Sequence, residues 1–265
     1  MIHTSKWIET FKISWSNRMA YRLNFVLQIV GPAIVFFFVK YSLWSAIFDT
    51  AKSSVIQGYD LTTMITYHVW VMIIALLAQS SNSINISEDI RLGRISSYLI
   101  YPFDFWKFHT AGFIAHTSLQ LIICAVTLGI VFISGITQEL HFYAIFSGLL
   151  VTIFVAFLWF SVQYTFGLMA FWFEETWVFR VIFLTTSAFL SGAIIPLEIF
   201  PKWFADILMW TPFPYMTYIP ARIFMGNEYN LIEIIVTLIF WIFVSSLLAT
   251  LVWKKGLRHY TAAGM

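Results

Sequence analysis

The densest group of ionisable side chains lies in NISEDIRLGRISSYLIYPFDFWKFH, where Glu88, Asp89, Arg91 and Arg94 fall within one short run interrupted by Gly93. A compact, mixed-sign, hydrogen-bonding surface of this kind can dock into a groove on a soluble partner. It can equally be a solvated loop that carries basic charge at a membrane edge. On the residues alone both readings stand. The adjacent carboxylates Glu174 and Glu175 would do acid–base work only beside a substrate and with raised pKa values, and at a membrane edge they read as solvated. His109 and His116 are seven apart and could share a helix face, but no neighbouring carboxylate in the sequence completes a metal site. The other histidines, His3, His68, His141 and His259, are scattered, and Ser80 and Ser81 have no matching base. A GxxxxGK[ST] phosphate loop, an HExxH helix and a GxSxG elbow are all lacking, which argues against a self-contained enzyme and against a cofactor or metal held by this chain.

The chain that must position these groups is a membrane chain. Of its 265 residues 60% are hydrophobic, 20% aromatic and only 11% charged, against about a quarter charged in a soluble domain. Too little polar surface exists to cover a soluble core of that size. The net charge of +2 and the lack of a basic run exclude a nucleic-acid partner. The single cysteine, Cys124, rules out an internal disulfide and reads as a small buried hydrophobe. The opening MIHTSKWIETFKISWSNRMAYR shows no apolar signal core followed by a small-residue cleavage site, so the first apolar run is expected to remain as a span.

Charged residues leave windows at 23–39, 61–87, 108–138, 140–173, 181–197 and 234–253. About 20 residues cross about 30 Å of hydrocarbon, so six spans are expected near 23–47, 61–81, 110–134, 142–170, 178–196 and 232–253. The first tolerates Lys40, expected to snorkel to the interface. Six spans put both termini on one side. Lys40, Lys52, Lys202 and Arg222 fall on the other side, and the remaining eleven of the fifteen basic residues share the terminal side. The positive-inside rule then predicts cytoplasmic termini. Trp44, Trp106, Trp172, Trp203 and Trp253 read as belt anchors at headgroup depth.

Residues 192–230 are too apolar for an aqueous loop and too broken for a span. Pro196, Pro201, Pro212, Pro214 and Pro220, five of the seven prolines, lie here, with Gly192 at the start. Each proline lacks an N–H and disfavours helix in the residue before it. Irregular backbone at membrane depth is tolerated only against protein or a wet cavity, so the segment reads as short re-entrant helices on the extracytoplasmic side. At residues 1–22, Ile8, Phe11, Trp15 and Met19 recur at helical spacing opposite Lys6, Glu9 and Lys12. That pattern predicts an amphipathic interfacial helix, either an anchor or a mechanical element. The fold class expected is therefore all-α: one polytopic membrane domain over 1–265, with a cytoplasmic loop at 82–108 closed by Pro102.

Three stretches carry a family resemblance: RMAYRLNFVLQIVGPAIVFFFVKYSLWSAIF, EDIRLGRISSYLIYP and FLSGAIIPLEIFPKWFADILMWTPFPYMTYIPARIFMG. In their order and spacing the chain resembles the permease subunit of bacterial type-2 ATP-binding-cassette (ABC) exporters. The resemblance implies two permease subunits, identical or related, in the cytoplasmic membrane, driven by two separate ATPase subunits that bind ATP and magnesium. It implies that Glu88, Asp89, Arg91, Gly93 and Arg94 form the ATPase-coupling element, contacted also by the N-terminal helix. It further implies that Gly192, Pro196, Pro201, Pro212, Pro214 and Pro220 bracket an outer gate. Spans one, two and five would face the path, where Gln28, Gln79, Asn82 and Ser191 are polar candidates; such residues can equally be helix–helix glue. The exported compound would be hydrophobic or amphipathic: a drug, lipid, peptide or glycolipid. Reversing the charges of Arg91 and Arg94 is expected to uncouple ATP hydrolysis from transport. An ion-gradient-driven secondary transporter, a lipid-directed membrane enzyme and a membrane immunity protein are the competing readings.

Overall fold

The computed structural model describes residues 2–51, 55–79, 82–100, 104–134 and 142–260. Pro102 and His141 lie outside them. Twelve α-helices occur among the described residues. In chain order they are α1 (Ile2–Ala20), α2 (Arg22–Ala51), α3 (Leu61–Ala78), α4 (Asn82–Arg91), α5 (Ile95–Ile100), α6 (Phe105–Ser134), α7 (Phe142–Leu168), α8 (Trp177–Leu190), α9 (Lys202–Leu208), α10 (Phe213–Met216), α11 (Tyr218–Phe224) and α12 (Leu231–His259). A 3-10 turn at Met169–Phe171 extends α7, and another at Leu197–Ile199 precedes α9.

Five helices are long and apolar enough to cross a membrane, within α2, α3, α6, α7 and α12. The expected fifth span, 178–196, is realised as the shorter α8, 14 residues long. That length rises only about 21 Å, less than the about 30 Å of hydrocarbon. The last helical bond runs from the Ser191 N–H to the Ser187 carbonyl, and the helix stops because Gly192 follows at a φ of 82°, a left-handed conformation that an L side chain adopts only at a cost. The structure is thus an all-α bundle of six apolar helices, one of them short, with α9 to α11 between the last two.

The core sits between α3 and α7. Tyr67, Trp70 and Ile73 of α3 and Val151, Val155 and Leu158 of α7 are fully buried, where the two helices pack on each other and on α11. Asp60 caps α3, its carboxylate accepting from the Thr63 N–H at 2.8 Å. Helix α12 packs along α7, and the hydroxyls of Ser161 and Ser246 meet at 3.0 Å between them. By contrast α2 and α8 are peripheral. Val35, Phe38 and Val39 on α2 and Trp177, Ile182 and Phe189 on α8 are left exposed, as suits surfaces meeting lipid or another chain.

Two expectations are corrected by packing. Trp44 is not a belt anchor. It is 5% exposed, and its Nε1 donates to His68 Nε2 at 2.7 Å, because a buried indole N–H must find an acceptor. Nor does Lys40 snorkel: it is 7% exposed and turned inward to a backbone carbonyl described below. The N-terminal helix also differs in detail. Its inner face packs on the first half of α6, where Ser14 lies beside Gly112. Phe11 and Trp15 are half-buried, while Ile8 and Met19 remain exposed.

Candidate functional sites at the two ends of the bundle

At one end, which gathers α1, α4, α5 and the end of α12, the charged cluster is folded into an elbow. Helix α4 closes with the Gly93 N–H on the Ile90 carbonyl at 3.2 Å and the Arg94 N–H on the Asp89 carbonyl at 2.9 Å. Gly93 takes a φ of 72°. Two such bonds around a left-handed glycine end a helix and turn the chain sharply, which is what separates α5 from α4. In the sequence alone Gly93 reads only as an interruption of the charged run.

Asp89 is the hub of this elbow. Its carboxylate accepts from Arg94 Nη1 at 3.1 Å and from the Tyr98 hydroxyl at 3.3 Å, with His109 Nε2 of α6 at 3.5 Å. Burial pushes the Asp89 carboxyl up, but the neighbouring His109 ring and the hydrogen bond and charge of Arg94 outweigh it and hold the group below its ordinary value. Tyr98 moves the other way, its phenol raised by burial and by the Asp89 charge. Glu88 pairs more loosely with Arg94 at 3.6 Å. Arg91 points elsewhere: its Nη1 donates to the Glu174 carbonyl at 3.1 Å, tying α4 to the 172–176 turn before α8. Ser96 of α5 meets the hydroxyl of Tyr260 at 3.3 Å. The elbow is therefore fastened to α6, to the α7–α8 turn and to the end of α12, while Leu92 at its tip is 57% exposed. The five expected coupling residues thus come together, but with unlike roles. Asp89 is internal, Arg94 bridges, and Arg91 and Leu92 face outward. The Asp89–His109 contact has no signal in the sequence, since twenty residues and a turn separate them.

At the opposite end the proline-rich segment forms the short helices its composition predicts. Pro196, Pro201 and Pro212 each sit at the residue preceding a helical turn, and Pro214 and Pro220 lie in first turns, where a missing N–H is not needed. Side chains from α2 and α3 fasten this segment. Lys40 Nζ donates to the Ile194 carbonyl at 2.9 Å, and the Tyr67 hydroxyl donates to the Gly192 carbonyl at 2.7 Å. Glu198 Oε1 accepts from the hydroxyls of Tyr218 at 2.7 Å and Tyr59 at 3.1 Å, with Arg222 Nε at 3.5 Å. Tyr59 is presented by a tight turn through Gln57 and Gly58, both at positive φ, the geometry of a two-residue hairpin turn. Burial and the Glu198 charge raise the Tyr59 phenol, against the opposing pull of Arg222.

Helix α11 is almost wholly buried. Phe224 stacks on Trp70 at 4.6 Å between ring centroids, and its other side abuts Gly148, where an added Cβ would stand 2.6 Å from the ring. Helix α9, in contrast, exposes Trp203 and Ile207, followed by Trp210. So the segment has a fixed half and an outward-facing half. Of the polar path candidates, Ser191 is buried beside this segment and its carbonyl accepts from the Tyr218 N–H at 3.0 Å. Gln79 is exposed beyond the last turn of α3, at the other end, its carbonyl facing Gln120 Nε2 at 3.4 Å. The Gln28 and Asn82 side chains lie outside the described residues, while Ser191 and Gln79 lie at opposite ends of the bundle.

Among curated proteins none matches the chain. Residues 34–264 match the family profile described as ABC-2 family transporter protein, a span that includes the elbow, the proline-rich segment, α2 from residue 34 onward and the other five apolar helices. The chain is a multi-pass membrane protein of the ABC permease type, and it belongs to the ABC-2 family of transporter proteins.

Proposed function

We propose that this chain is the permease subunit of a bacterial ABC exporter that moves a hydrophobic or amphipathic compound out across the cytoplasmic membrane. Two separate ATPase subunits, holding ATP and magnesium, would power it, and a second permease, identical or related, would complete the path. The observation that carries the reading is the elbow at 88–94. It exposes Arg91 and Leu92 while it is fastened through Asp89 to α6, through Arg91 to the α7–α8 turn and through Ser96 to Tyr260. A load applied at such a tip reaches two of the six apolar helices, α6 and α12, and the turn that joins two others, α7 and α8. Alternating access needs two packings biased by nucleotide state, and a rigid elbow supplies the lever.

The bias of basic residues supports placing the elbow and both termini in the cytoplasm. The segment from Gly192 through Pro220 is then the outer gate. Its fixed half, α11, is held by α3 and α7, and its outward half, α9, offers Trp203 and Ile207 to whatever closes against it. The apolar, exposed faces of α2 and α8 suit a contact with the second permease and with apolar cargo. Purification of the tagged chain from its native host in mild detergent tests the reading. An ATPase with a phosphate-binding loop should copurify, and recovery of the chain without one would contradict it.

A further inference from the structure

Two concave surfaces follow one another along α1, α2 and α6, the first opening between α1 and the elbow. The first is a polar cleft of about 660 Å³ at the terminal end. Ser14, Asn17, Arg18 and Tyr21 of α1 and its following turn line one wall, and Glu88, Asp89 and Arg94 line the other. The second is an apolar groove of about 520 Å³ between α2, α3 and α6. Its α2 wall is a single helical stripe running from Val26 through Val30 and Ala33 to Phe38, and Ile122 and Val126 of α6 face it.

The two surfaces are consecutive in height. Ser14 lies beside Gly112, and Arg18 is close enough to act electrostatically on His116, so α1 climbs α6 in step with it. Gln79, just past the end of α3, meets Gln120 at the next turn. The groove begins directly above, at Val26 and Ile122. Its α2 stripe covers about 18 Å of rise, slightly more than one leaflet of a hydrocarbon core of about 30 Å. The charges in the cleft are unequally satisfied. Glu88 and Asp89 are both taken by Arg94. Arg18 is half-buried and, among the described residues, has no carboxylate within ion-pair distance. A partly desolvated guanidinium of this kind favours a phosphate, which it can hold through two parallel N–H bonds.

We propose that the cleft and groove together seat one resident anionic glycerophospholipid of the leaflet on the terminal side, with its phosphate at Arg18 and one acyl chain in the groove between α2, α3 and α6. A polar pocket in which Arg94 balances Glu88 and Asp89 but Arg18 has no carboxylate partner among the described residues, followed by an apolar channel one leaflet deep, matches the shape and polarity of such a lipid. The groove lies on the α6 side of α3, whereas α8 packs on α7 and α10. The lipid is therefore a structural wedge that fills the gap between α2 and α6 and holds α1 against the bundle.

The test uses the full chain, delipidated in mild detergent and titrated with phosphatidylglycerol or phosphatidylcholine of identical acyl chains, with native mass spectrometry as the readout. One phosphatidylglycerol per chain should be retained with a preference of about tenfold, because the phosphate of phosphatidylcholine is already partnered by its own choline cation and offers Arg18 a weaker charge-assisted contact, and it should raise the melting temperature. Arg18→Gln should abolish the preference. Ala33→Trp should abolish retention of either lipid. Thr127→Phe, on the α6 wall, serves if Ala33→Trp elutes as misfolded protein. Equal retention of the two lipids by the unmodified chain would overturn the proposal, as would unchanged retention in Arg18→Gln or no effect of phosphatidylglycerol on melting.

Discussion

Asp89 holds Arg94 at 3.1 Å within its own elbow while facing His109 of α6 at 3.5 Å, so one carboxylate both shapes the turn and fastens it to a long helix. Removing that carboxylate leaves a half-exposed guanidinium and a buried imidazole without their common partner. Asp89→Asn is expected to destabilise the chain by about 1–2 kcal/mol, below the full cost of breaking a buried pair because Arg94 reaches water. Thermal unfolding in detergent measures it.

The same carboxylate sets a pH dependence. Its folded pKa is held below the reference value of 3.8. Its contribution to stability is therefore complete above the unfolded carboxylate range and disappears as pH falls through the lower folded value. Melting temperature against pH should separate the unmodified chain from Asp89→Asn at neutral pH, and the two curves should converge in acid.

At the other end, Lys40 and Tyr67 hold adjacent turns of the proline-rich segment through its carbonyls. Lys40→Met should leave the Ile194 carbonyl unpaired, a loss of about 1–3 kcal/mol, and Tyr67→Phe should cost about 1 kcal/mol. Both should raise the labelling rate of a cysteine placed at Ala193, and Lys202→Met, on the exposed α9, should not.

The fixed half of the segment depends on space at Gly148. A methyl group added there would stand 2.6 Å from the Phe224 ring, so Gly148→Ala forces ring or backbone to move, at about 1–3 kcal/mol. Gly148→Ala combined with Phe224→Leu should recover part of that loss, which a double-mutant cycle in thermal stability would detect.

The architecture is legible in the sequence wherever composition acts locally. Charge-free windows locate all six apolar helices, and the spacing of Pro196, Pro201, Pro212, Pro214 and Pro220 locates the short ones. Helix α8 ends at Leu190 rather than at the expected 196, because a run that stays apolar to 196 carries no hydropathy signal for the left-handed turn at Gly192. The destinations of single polar groups are not legible either. Lys40 and Ile194 are 154 residues apart, and Trp44 and His68 are 24 apart; each pairing exists only because folding excludes water from both partners. Snorkelling and belt anchoring are average behaviours, and tertiary contacts override them at Lys40 and Trp44. At the elbow, residue types mark the site, but not that Asp89 is internal and Leu92 outermost.

That distinction decides how coupling is best probed. Reversing Arg94 would set a carboxylate against Asp89 and Glu88 and so break the elbow itself, whereas Arg91→Glu with Leu92→Glu alters the exposed tip and gives up one exposed hydrogen bond, that of Arg91 to the Glu174 carbonyl. The direct measurement is recovery of the ATPase with the tagged chain from membranes of equal permease content. The Arg91→Glu, Leu92→Glu chain should insert and melt as the unmodified chain does, within about 1 kcal/mol, but lose most of the copurifying ATPase. Undiminished recovery of the ATPase with that double variant would contradict a coupling role for the elbow.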